Sequence, residues 1–286
     1  MAMMAASRFS LTPRCAGAAP ACLWTWLALA VCLVAPARAA EPAWIEVPPV
    51  RQFADARLGA KLSDIESHLP AGHIYRDSDL VTWAHETTHG INSRIRNQYA
   101  RGHANGFYVL ANRGITFTEP RCRKSAAARF IPAAWRDSTY GLYVAGQSAW
   151  DGEPLYVFDE WIAYTNGTEV GIELAEKGLW RGGQRSETTE NMLEFCVFAG
   201  AVIWAVREHD PSYAELVKLS QFAAWNIERC LWLTDEAEKY PAFITARARQ
   251  MRDAIRAVHE QTPKPRPLPM LAKLRRAVPL VREGAP

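Results

Sequence analysis

Residues 80–97, LVTWAHETTHGINSRIRN, carry two overlapping patterns, one of fold and one of chemistry. Leu80, Trp83, Thr87 and Ile91 recur at helical spacing, and Val81, Ala84 and Ile95 widen the same apolar side. Asp77-Ser78-Asp79 precede them. Each can cap a helix, and the two acids suit its positive N-terminus. The spacing predicts a half-buried helix from about Asp77 to Asn97.

Inside that helix lies His85-Glu86-Thr87-Thr88-His89, an HExxH sequence. Residues i and i+4 share a helix face, so the two imidazoles can converge on one zinc ion. Glu86 is turned by about 100° from His85. Its carboxylate can therefore reach a metal-bound water without ligating the metal. Zinc lowers the pKa of such a water, and Glu86 can take its proton and pass it to a leaving amine. A catalytic zinc keeps three protein ligands and one open position.

The third ligand must come from elsewhere. The elongated three-histidine pattern needs a glycine and a histidine where this chain has Asn92 and Ile95. Glu160, in GEPLYVFDEWIAYTNG (residues 152–167), is the first candidate. Its neighbours Val157, Phe158, Trp161, Ile162 and Ala163 are apolar, and a carboxylate there needs a partner. Glu194 opens another very apolar helix and stands second, with Asp159, Glu153 and His103 left open.

HETTHG followed downstream by EWIAY resembles the gluzincin type of zinc metallopeptidase, to which thermolysin-like and lethal-factor-like enzymes belong. The resemblance covers about 30 residues. It implies a zincin-like domain, one Zn2+ ion, His85, His89 and Glu160 as ligands, and Glu86 as catalytic base. Thermolysin-like enzymes carry an aspartate four residues after the glutamate ligand, where this chain has Tyr164. Support for a zinc histidine must then come from another residue, for which Asp159 and Asn92 are candidates. Lethal-factor-like enzymes place a tyrosine near the glutamate. Tyr156 and Tyr164 lie four residues either side of Glu160, on its face, where a phenol could hydrogen-bond a developing oxyanion.

Outward from these segments, the N-terminus reads as an export signal. Arg8 and Arg14 precede ACLWTWLALAVCLVA (21–35), and Ala37-Arg38-Ala39 follows as a cleavage site. The apolar run is short for a bilayer span of about 20 residues. Residues 1–39 are thus expected to leave a secreted or periplasmic protein with no stable membrane span. No later segment is long and apolar enough to span, and Phe195–Val206 comes closest, reading as a buried helix. Of six cysteines, Cys122, Cys196 and Cys230 survive cleavage, which allows at most one internal disulfide.

The lead-in to about Pro70 holds a short helix near Lys61–His68. Phe107–Leu110 and Ile115–Thr118 are β-prone around a turn with Asn112 and Gly114, which predicts a hairpin. Helices follow at about 153–165, ended by Asn166-Gly167, then at 168–177, 187–207, 211–232 and 235–258. Pro263, Pro265, Pro267 and Pro269 mark an extended basic tail, 262–286. The fold class is α+β and mainly α-helical, a small hairpin or sheet and a helical C-terminal half making one domain over 40–261.

Without the signal, acids and bases balance, which leaves no basic field for nucleic acid. The expected activity is zinc-dependent hydrolysis of a peptide or protein substrate. The alternative is a non-catalytic, zinc-stabilised domain that binds a peptide or the cell envelope, which has no use for Glu86.

Overall fold

A computed structural model describes residues 42–99, 104–181 and 188–260. The segment expected to be an export signal, His103 and the Pro-rich tail lie outside the described residues. The chain is mainly helical with one small antiparallel sheet.

Strand β1 (Ile45–Glu46) is followed by helix α1 (Gly59–His68) and helix α2 (Leu80–Tyr99). The hairpin comes next, as β2 (Ala104–Tyr108) and β3 (Arg113–Thr118). A single turn, α3 (Ser138–Tyr140), lies in a stretch of short turns before the long helices. These are α4 (Tyr156–Glu176), α5 (Thr188–His209), α6 (Leu216–Ala237) and α7 (Ala246–Glu260).

The sheet order is β1-β3-β2, with Phe107 opposite Ile115 and Tyr108 opposite Gly114. The hairpin is therefore as expected, while β1 had no signal in its two residues. The turn between β2 and β3 holds Leu110, Ala111 and Asn112 all in the left-handed region, at φ 67°, 53° and 59°. Only Asn112 is a residue that visits that region readily, so the pattern shows the turn but not its shape.

Asp79 is the residue that caps α2. Its Oδ1 accepts from Val81 N at 3.0 Å, and its Oδ2 accepts from Thr82 Oγ1 at 3.0 Å. The buried side of α2 includes Val81, Ala84, Ile91 and Ile95, as the periodicity requires.

Helix α4 corrects the sequence reading. Asn166-Gly167 does not end a helix but sits inside one continuous helix. Asn166 is fully buried and spends its amide on neighbours: Nδ2 donates to Tyr108 O at 2.9 Å, and Oδ1 accepts from Arg229 Nη2 at 2.8 Å. At Gly167 a Cβ would lie 3.2 Å from Val81 O and 3.7 Å from His85 Cβ. The missing side chain lets α4 press against α2 beside the first histidine. A pair that reads locally as a helix stop is a helix contact, because tertiary packing outweighs propensity.

The larger apolar core lies among α4, α5, α6 and α7, and a second cluster joins α1 and α2 to Tyr108 and Leu110. Among the described residues α5 is long and apolar enough to cross a membrane, against the sequence expectation that no segment after the N-terminus is. Of its most apolar window 83% is buried within the protein, so its apolar surface belongs to the core. Cys122, Cys196 and Cys230 are all buried and free.

Candidate metal centre

Helices α2 and α4 bring three donor atoms together. His85 Nε2 and His89 Nε2 lie 3.1 Å apart. Glu160 Oε2 lies 3.5 Å from the first and 3.6 Å from the second. A tetrahedral zinc with bonds of 2.0–2.1 Å holds its donors about 3.3 Å apart, so the triangle has the size such an ion needs. No other such group of three is found among the described residues.

The carboxylate of Glu160 is shared unevenly. Oε1 accepts from Tyr156 Oη at 2.6 Å. Oε2 is buried with no hydrogen-bond partner and faces the two rings. A buried carboxylate oxygen aimed at two imidazole nitrogens is a fit for a cation. Burial opposes its charge, but His85 and His89 outweigh that and hold the Glu160 carboxyl well below the usual carboxylate range.

The two histidines are oriented differently. Asp159 Oδ2 lies 2.6 Å from His89 Nδ1, and Asp159 Oδ1 accepts from Asn92 Nδ2 at 2.6 Å. Asn92 Oδ1 in turn accepts from Tyr108 N at 2.7 Å, which ties the chain to the sheet. Both residues proposed as support for a zinc histidine are thus found in one relay behind His89. Burial works against charge on His89, yet Asp159 and Glu160 raise its pKa well above the ordinary histidine value. The His85 ring is held by packing: it meets Tyr164 edge to face at 4.4 Å between centroids, and its Nδ1 has no hydrogen-bond partner.

A cleft of about 410 Å³ opens at the triangle. Its lining includes His85, Glu86, His89, Glu160, Tyr143 and Tyr156. Glu86 is half-buried there and makes no ion pair or hydrogen bond among the described residues. His89 also borders a cavity of about 470 Å³ with Pro70, His73, Gly90 and Ser93, so open space lies on both sides of it.

Of the two tyrosines singled out by spacing, Tyr156 lines the cleft and its hydroxyl is engaged by Glu160. Tyr164 is buried behind His85, and its hydroxyl lies 2.9 Å from that of Tyr143. Tyr143 and Gln147 carry no sequence signal, since they come from the irregular stretch before α4, whereas Trp150 reads from its type alone as a core or cleft-lining residue and lines the cleft. Trp150 stacks on Tyr156 at 5.4 Å with an interplanar angle of 9°. Lys124 holds this stretch in place. Its ammonium is buried and donates to Tyr143 O at 2.7 Å, Val144 O at 3.2 Å and Gly146 O at 2.7 Å. Gln147 sits in the left-handed region at φ 50°, a strained geometry at the cleft wall.

None of the other described candidate ligands joins the triangle. Glu194 pairs with Arg247 and Asp137. Asp159 supports His89, and Glu153 lies exposed at the cleft rim.

Comparison of the chain with family models, curated proteins and solved structures finds no match in any of the three.

Proposed function

We propose that this chain is an exported, zinc-dependent hydrolase, a peptidase of the gluzincin type on a zincin-like α+β fold. The observation that carries the reading is the triangle of His85, His89 and Glu160, with a buried, unpartnered carboxylate oxygen and a cleft in front of it. Bound there, one Zn2+ ion would supply Lewis acidity towards a carbonyl and lower the pKa of water.

The protein's own groups then have separate tasks. Glu86 takes the proton that the attacking water gives up and returns it to the leaving amine. Asp159 keeps the proton of the His89 ring on Nδ1 and so leaves Nε2 free to ligate. Tyr156 orients Glu160 through its 2.6 Å hydrogen bond and lies where a phenol can reach an oxyanion. Tyr164 packs against His85 and holds the hydroxyl of Tyr143, a residue that also lines the cleft.

Glu86 favours the enzyme over a zinc-stabilised binding domain. A purely structural site closes its coordination and needs no free carboxylate beside it. The test is Glu86→Gln, assayed on a peptide library beside the wild type. Zinc content should be unchanged and cleavage lost. Cleavage at the wild-type rate would remove Glu86 from the chemistry.

A further inference from the structure

Every acid that lines the cleft has a task or lies at the rim, but one cation there has none. Arg96 sits on α2, seven residues and about two turns beyond His89. It lines the cleft with Glu86 and the donor triangle, and it also lines the small space between α2 and β2 with Asn92, Asn105 and Asp159. Its side chain makes no ion pair among the described residues, and its hydrogen bond there is a long one of 3.4 Å to Ser93 Oγ.

The carboxylates around it are mostly committed. Asp159 serves His89 and Asn92, and Glu160 faces the two histidines. Glu119 lies behind the wall, takes Leu155 N at 2.9 Å and is bonded by Asn105 Nδ2. Glu86 and Glu153 also line the cleft. Arg96 is built into a rigid place. At Gly106 of β2 a Cβ would come within 2.9 Å of Arg96 N and 2.3 Å of Ile95 Cγ2, so the strand is pressed onto this turn of the helix.

We propose that Arg96 is a specificity-determining residue that seats a carboxylate of the substrate, beside the scissile bond. An arginine whose backbone is held against β2, lining a cleft and making no ion pair among the described residues, matches a carboxylate in charge and in its two-pronged hydrogen bonding. The substrate class is therefore a peptide bearing an aspartate or glutamate side chain, or its own C-terminal carboxylate, on the Arg96 side of the donor triangle. This rests on the hydrolase reading above for the cleavage step but not for binding.

The experiment uses one peptide library in two forms, with free and with amidated C-termini, on the zinc-loaded protein. Cleavage is read with the wild type, Arg96→Lys, Arg96→Gln and Arg96→Glu. Retention of uncut peptides is read with Glu86→Gln alone and combined with each Arg96 change. The wild type should prefer an acidic group at one position by about tenfold, carried in KM rather than kcat. Arg96→Lys should keep part of that preference, Arg96→Gln should abolish it, and Arg96→Glu should turn it towards lysine and arginine. If the preference survives amidation the carboxylate is a side chain, and if amidation removes it the carboxylate is the C-terminus. Acid-selective retention without any cleavage would support Arg96 and overturn the hydrolase. Cleavage or retention with the same profile in all four proteins would overturn Arg96 and leave the hydrolase standing.

Discussion

Asp159 Oδ2 lies 2.6 Å from His89 Nδ1, and this single contact decides which ring nitrogen of His89 faces Glu160. Two adjacent acids of α4 thereby face different partners, Glu160 the two Nε2 atoms and Asp159 the far nitrogen of the His89 ring. Adjacent residues on a helix are about 100° apart, which is what lets one turn serve both purposes.

Replacing Asp159 by Asn should leave the fold intact and weaken zinc binding by about 10–100-fold, the range for support residues. His85→Ala, His89→Ala and Glu160→Ala should each weaken it far more. Competition with a chromogenic chelator measures all four. Equal affinity in wild type and Asp159→Asn would mean the contact does not orient the ring.

Gly167→Val tests how closely α2 and α4 must approach. The added side chain would begin 3.2 Å from Val81 O, so the helices must part. Overpacking of this kind costs about 1–3 kcal/mol, and parting the helices should also spread the donors. Denaturant unfolding and zinc titration should report both losses together. Lost stability with full zinc affinity would show that the site tolerates a wider spacing.

Lys124→Met should separate cleft wall from metal site. The change leaves three backbone carbonyls without a buried donor, and a loss of about 1–3 kcal/mol is expected. Zinc affinity should stay near wild type, because none of the three proposed ligands lies on that stretch. Turnover on a good peptide should fall, since Tyr143 and Gln147 lose their anchor. Unchanged turnover would remove residues 143–147 from the site.

A pH effect is expected far from the metal. Burial, and then the neighbouring Asp137, push the Glu194 carboxyl up to about 9, from an ordinary value near 4.5. Arg247 and Thr139 oppose this, and Glu190 also faces Arg247. A raised acid stabilises the fold while protonated. That contribution is complete below about pH 4.5 and drains away as pH rises to about 9. Glu194→Gln copies the neutral acid, donating to Asp137 and accepting from Arg247. It should be more stable than wild type at pH 8 by roughly 3–5 kcal/mol, and indistinguishable at pH 4. Parallel melting curves at the two pH values would contradict this.

The HExxH helix, its cap and its buried face were legible because period and motif lie in one short segment. Glu160 was legible as an acid in apolar company, and Asp159 and Asn92 as acid and amide near it. What stayed hidden depends on partners far along the chain. Asn166 looks like a helix stop until Tyr108 and Arg229 are found against it. Tyr143 and Trp150 reach the cleft on irregular backbone held by a buried lysine, which leaves no periodic trace in the sequence. Arg96 reads as one more polar residue of an amphipathic helix until β2 is seen pressed against its backbone at Gly106.

The donor triangle of His85, His89 and Glu160 is proposed to hold one zinc ion. Diffraction from crystals of the purified protein on either side of the zinc absorption edge tests it most directly. A single anomalous peak is expected within bonding distance of His85 Nε2, His89 Nε2 and Glu160 Oε2, with a fourth position facing the cleft. Crystals of zinc-supplemented protein with no peak there, or with a fourth protein ligand closing the site, would contradict it.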